Sequence, residues 1–129
     1  MENILVDTDI VIDYAYQKNK LLQNLLDLKK DRKVELFVNP VIITEYFADN
    51  KLTRSKIFKE AQLIFSAFVV IDLTSTIGYI AGELMRLKRV ISIGDALNAA
   101  TCLENNCKLA TRNLKHFRNI PGLLLYTFS

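Results

Sequence analysis

Two cysteines, two prolines, four glycines, one histidine and no tryptophan are all that this 129-residue chain holds of those types. Cys102 and Cys107 lack the cysteine and histidine company of a zinc site and are too few for a disulfide scaffold. Both are expected to be reduced and packed, as in a cytosolic protein. With so little glycine and proline, no repeat and no low-complexity run, nothing marks a boundary, and one domain over residues 1–129 is expected. No apolar stretch approaches the ~20 residues of a spanning helix, and the N-terminus lacks a basic leader before an apolar run. A cytoplasmic protein with no membrane role is the expectation. Excess charge is scarce too: 17 Lys+Arg against 14 Asp+Glu leaves +3, too mild a bias to identify a nucleic-acid binder by itself.

What the chain does have is an apolar half (50%) and a charged quarter (24%), the balance of a folded domain that buries a real core. A continuously apolar run predicts a short buried strand at Asn3–Val6, and further strands are expected at Val34–Val38, Phe68–Asp72, Lys108–Ala110 and, after the Pro121-Gly122 turn, Leu123–Tyr126. Between them, apolar residues recur at helical spacing. Helices are expected from about Asp9, through Leu21–Leu28, from the Asn39-Pro40 start to near Asn50, and from Thr53 with Ile57, Ala61, Ile64 and Phe65 on one face. Two more run from Thr74 or Ser75 to Arg86 and from Ser92 to Asn105. Strands alternating with helices imply an α/β fold with a parallel sheet covered on both faces.

Three acids interrupt these apolar segments where strands end and helices begin: Asp7 in ILVDTDIVIDY, Glu45 in NPVIITEYF and Asp95 in SIGDALNAA. A carboxylate among residues that normally bury is costly without a partner. Sites in open α/β sheets form beyond the carboxyl ends of the strands, so all three can meet at one edge together with Thr111-Arg112-Asn113 after the fourth strand. Two carboxylates about 4 Å apart repel by roughly 4 kcal/mol at an effective dielectric near 20. A cluster of three therefore protonates, splays or binds a hard cation, and such a cation points to phosphodiester chemistry. Each acid also has a plainer explanation. Ser92-x-x-Asp95 fits a capping box, and Asp7 could simply open the next helix. Asp9 and Asp13 read as a first-turn charge and an exposed helix residue. Glu45, between Ile43 and Phe47, has the weakest such explanation.

Val6-Asp7-Thr8-Asp9, Pro40 to Tyr46 with Glu45, Ile93-Gly94-Asp95-Ala96, and Leu109 to Asn113 before His116-Phe117 together resemble the PIN domain, the nuclease fold of VapC-type toxins from toxin–antitoxin pairs. The likeness spans essentially the full length, in the family's order and spacing. It implies a three-layer α/β/α sandwich with a mostly parallel central sheet and a Mg²⁺- or Mn²⁺-dependent endoribonuclease acting on RNA. It further implies a cognate antitoxin partner and a homodimer, for which the Ile57–Phe65 helix offers an apolar face. On this resemblance Asp7, Glu45 and Asp95 are the catalytic, metal-binding acids, and Thr8 and Thr111 support them. Asn113 falls where many members carry a fourth acid, which predicts one well-held ion in the absence of substrate. Arg112, Lys115 and Arg118 are candidate RNA contacts, and His116 reads as a rim residue of a surface turn.

Two other readings stand beside this one. Asp7-Thr8-Asp9 after an apolar strand also looks like the opening of a haloacid-dehalogenase-like phosphatase with Asp7 as nucleophile, although that reading leaves Glu45 unexplained. The other is a PIN-like interaction module made inactive by Asn113.

Overall fold

The computed structural model describes residues 1–49 and 54–128, with only the backbone of Arg54. Along the chain lie β1 (Glu2–Val6), α1 (Thr8–Ala15), α2 (Leu21–Lys30), β2 (Val34–Val38), α3 (Pro40–Ala48), α4 (Arg54–Phe65), β3 (Val69–Val70), α5 (Ser75–Arg86), α6 (Ile93–Asn105), β4 (Lys108–Ala110) and α7 (Leu114–Phe117). The helix starts follow local chemistry. Asn39, Thr74 and Ser92 each accept a backbone N–H three residues on, at Ile42, Ile77 and Asp95, and Pro40 takes the first-turn place where its missing N–H costs nothing. α6 ends at Asn106, whose left-handed backbone (φ 55°) is one that asparagine tolerates.

The four strands are parallel in the order β3-β2-β1-β4. Leu5 of β1 stands between Phe37 of β2 and Leu109 of β4. Successive strand residues face opposite sides of a sheet, and Ile4, Leu5 and Val6 are all at 0% exposure, so helices cover both faces. The α/β/α sandwich expected from the sequence is the fold observed.

Two strands are shorter than expected. Of Phe68–Asp72 only Val69 and Val70 pair, with β2 alone; β3 is an edge strand, and both residues are exposed. Leu123–Tyr126 forms a single parallel bridge, Leu109 to Leu125. Alternate residues of a strand direct their N–H and C=O to opposite neighbours, so in three-residue β4 only Leu109 faces outward, donating to Leu124 O (2.9 Å) and accepting from Tyr126 N (2.8 Å). The proposed starting point at Thr53 and end at Asn50 lie outside the described residues. Ile57, Ala61 and Ile64 of α4 pack into the chain's own core, so that stripe is not a free dimer face. The large apolar residues that α4 exposes are Phe58 and Leu63.

Leu5 sits at the centre of the sheet with both faces buried. Leu5→Ala should lower the unfolding free energy by about 2–5 kcal/mol in urea titration, whereas Leu63→Ala, on an exposed residue, should change it by no more than about 0.5 kcal/mol.

Candidate active site

β1 and β4 are neighbours at the point where the winding of the sheet reverses, which is where open parallel sheets form their sites. Asp7 is the first residue past β1. Its N–H extends the ladder to Ala110 O (2.9 Å), and its carboxylate caps α1 by accepting from Thr8 N (2.8 Å). The capping role is therefore real, but Asp7 does more. Asn98 Nδ2 donates to the same Oδ1 (3.2 Å), and Thr111 Oγ1 donates to Oδ2 (2.8 Å). Donors from α1, α6 and the end of β4 thus converge on one side chain that is 6% exposed. Burial, then the charge of Asp9, raises the pKa of Asp7 against the lowering bonds from Thr111 and Thr8. With Asp95 adding to the rise, it reaches about 6 from an ordinary 3.8.

Asn98 is in turn held from behind. Asn39, fully buried at the end of β2, donates through Nδ2 to Asn98 Oδ1 and to Thr101 Oγ1 (both 3.0 Å) while its own Oδ1 caps α3. Thr101 donates onward to Leu97 O (2.7 Å). The side chains of Asn39, Asn98 and Thr101 all find partners in this relay, and Asn39, Asn98 and Asp7 tie β2, α6 and β1 together at one edge.

Glu45 and Asp95 reach the same edge. Thr8 Oγ1, beside Asp7, donates to Glu45 Oε1 (2.6 Å). Gly94 packs against the other oxygen of Glu45: a Cβ added there would stand 3.5 Å from Oε2. Glu45 is exposed rather than enclosed by its apolar neighbours, so its acidity needs no burial argument. Asp95 N is bonded to Ser92 Oγ (3.1 Å), but the Asp95 carboxylate turns the other way, to His116 Nδ1 (3.0 Å). The cap therefore involves the backbone N–H of Asp95, while its side chain is bonded to His116.

His116 lies on α7, the one-turn helix formed where a surface turn was expected. Lys115 and Arg118 flank it, exposed. Arg112 differs from both: its guanidinium is bound to Asp13, Nε to Oδ2 at 2.6 Å and Nη2 to Oδ1 at 3.4 Å. Asp13 was expected to be an exposed helix residue. It is 4% exposed, because it lies on the face of α1 that meets the turn after β4 and there also accepts from Asn19 Nδ2 (2.8 Å). Asn113 gives its backbone N–H to Thr111 Oγ1 (3.1 Å), and its exposed side chain makes no hydrogen bond to the acids. Sequence reasoning missed Asn98 altogether and treated Asn39 only as a cap. The signal for Asn98 was an amide one turn after Asp95 in an otherwise apolar Ala-Leu-x-Ala-Ala run.

The donor set suits a hard divalent cation in kind: carboxylate oxygens, with Asp9 Oδ1 buried and without a hydrogen-bond partner. Among the described residues no three carboxylate, histidine or cysteine side chains are drawn up around a common point. Glu45 and Asp95 each spend an oxygen on Thr8 and His116 instead.

In chelator-treated protein the raised pKa of Asp7 has a consequence for stability. Folded Asp7 holds its proton up to about pH 6, and the unfolded residue releases it near 3.8. Stability is therefore lost as pH rises through that window, by about 3 kcal/mol in total. The stability of Asp7→Asn relative to wild type, from urea unfolding in chelator, should grow between about pH 4 and pH 6 and level off above. A difference that stays flat across the window rejects this description of Asp7.

Comparison with known proteins bears on the whole arrangement. The chain is 25% identical over 135 residues to Ribonuclease VapC1 of Rickettsia felis, covering 98% of this chain and 96% of that protein. It shares its fold with the VapBC2 structure from Rickettsia felis bound to a promoter DNA fragment (TM-score 0.82, 21% identity, 98% of this chain and 99% of that one). It is likewise similar to DNA-bound VapBC from Salmonella typhimurium (TM-score 0.81, 20% identity, 98% of each chain). The model of the PIN domain matches residues 4–123, nearly the entire length, and the chain belongs to the PIN domain family.

Proposed function

We propose that this protein is a divalent-metal-dependent endoribonuclease, using Mg²⁺ or Mn²⁺, and the toxin of a toxin–antitoxin pair. The observation that carries the reading is the placement of Asp7, Glu45 and Asp95, from three distant segments, along the switch-point edge of a PIN fold. In this reading all three acids hold the ion. When bound, such an ion lowers the pKa of a water and offsets charge on the phosphoryl oxygens.

The chain's own residues supply orientation. Thr8 fixes Glu45, His116 fixes Asp95, and Thr111 and Asn98 fix Asp7 from two sides. Lys115 stands on the same short helix as His116 and Arg118 directly follows it, and these are the cations best placed to meet RNA phosphates. Arg112 is a weaker candidate, since its guanidinium is already engaged by Asp13. A phosphatase using Asp7 as nucleophile gains no support, because both Asp7 oxygens are tied to donors and the side chain is buried. The antitoxin partner is inferred from the similar VapBC complexes and the homodimer from the family resemblance. Among the described residues no helix is long and apolar enough to cross a membrane.

The test is cleavage of single-stranded and structured RNA with Mg²⁺ or Mn²⁺. Chelator should stop cleavage, and Asp7→Asn and Asp95→Asn should each lower it by at least roughly 10–100-fold, the loss typical of removing even an outer partner of a metal site. Equal cleavage by wild type and both variants rejects the proposal.

A further inference from the structure

Asn113 leaves the site one negative charge short of the four-acid pattern, yet a fourth carboxylate stands at the same edge from another direction. Asp9, in the first turn of α1, shares the Thr111 hydroxyl with Asp7: Thr111 Oγ1 is 2.8 Å from Asp7 Oδ2 and 3.4 Å from Asp9 Oδ2. Asp9 Oδ2 also accepts from Arg112 N (3.0 Å). Its Oδ1 is buried and has no hydrogen-bond partner, an arrangement that leaves one oxygen of this carboxylate unspent.

The segment that holds Asp9 is itself anchored. Asp13 lies one turn further along α1, 4% exposed, and grips the Arg112 guanidinium through both of its oxygens. Since Asn19 donates to Asp13 as well, the Arg112 side chain is directed to Asp13 while its backbone N–H remains on Asp9. One arginine thus fastens the Thr111–Arg112 turn to two successive turns of α1. It does so without placing its guanidinium on the acid nearest Asp7.

We infer that Asp9 brings the fourth negative charge to this site, in the stead of Asn113, and that the Asp13–Arg112 ion pair is the clamp that positions it. The inference rests on the metal-dependent reading given above. Asp9 serves the ion, and Asp13 and Arg112 act through Asp9 and Thr111 as positioning residues. Only the Asp13 half of this pair is buried, and the Arg112 guanidinium that offsets its charge stays half exposed to water.

Mn²⁺ alone is the probe, titrated by calorimetry into the purified full chain well below its melting temperature. Asp9→Asn should weaken Mn²⁺ binding at least about tenfold, and Asp13→Asn should weaken it by about tenfold, as loss of an outer partner does. Asp31→Asn, an exposed acid at the opposite end of the strands, should leave binding unchanged. A clamp with only a structural role lowers the melting temperature but leaves the affinity of the folded protein intact. Should Asp13→Asn not fold, Arg112→Lys, which keeps the charge and loses the two-pronged grip, is expected to weaken binding in its place. Unchanged affinity in Asp9→Asn overturns the fourth-acid assignment, and unchanged affinity in the folded clamp variant overturns the clamp. Absence of Mn²⁺ binding by the wild type instead overturns the metal-dependent reading beneath both.

Discussion

A carboxylate at the end of the central strand must be kept from water and still be satisfied, and much of this molecule is arranged around that demand at Asp7. Its backbone continues the β1–β4 ladder while its side chain starts α1, so strand and helix meet at one residue. Donors then arrive from Thr8, Asn98 and Thr111, residues up to 104 positions away in sequence. Asn98 reaches it only because Asn39, at the end of β2, holds its amide the right way round. Four segments are thereby locked to one another through a single acid, at the place where the fold reverses its winding.

That network orients Asp7 without fully stabilising its charge. Three hydrogen bonds ought to favour the carboxylate, and the two strongest do lower its pKa. Burial and the neighbouring acids outweigh them, so the net shift is upward. A structural cap would place its donors so that the charge is comfortable, or would be an uncharged serine or asparagine. Here the donors fix direction, and the remaining electrostatic deficit is of the kind that a bound cation removes. The same logic separates Asp7 from Asp13, which is equally buried but paired directly with a guanidinium.

The fold was legible because its signals are local. The short apolar-rich segments of β2 and β4 were placed to the residue, and Asn39-Pro40, Thr74 and Ser92 located three helix starts. The edge elements were not, since the length of β3 depends on having one neighbour and the pairing of Leu125 on the alternation of a three-residue strand. Within the site, Asp7, Glu45 and Asp95 stood out as charges in apolar company, although Glu45 is exposed and its surroundings misled. Asp13 and Asn98 did not stand out. Their roles are set by partners 99 and 91 residues distant, which no spacing along one helix records.

Charge bookkeeping shows why the chain's slight basic excess understates what a polyanion would meet. Asp7 is buried, and Asp13 is buried and compensated by Arg112, so neither projects a full negative field to solvent. Around the site the opposite holds: Lys115 on α7 and Arg118 just after it are exposed, and His116 of that helix bonds Asp95 directly. A phosphodiester approaching three or four carboxylates is repelled unless cations stand at the rim. Because α7 follows β4 within four residues, the turn that delivers Thr111 to Asp7 also leads directly into the segment whose His116 bonds Asp95. Under the proposed function, one short connection would serve both substrate attraction and acid positioning.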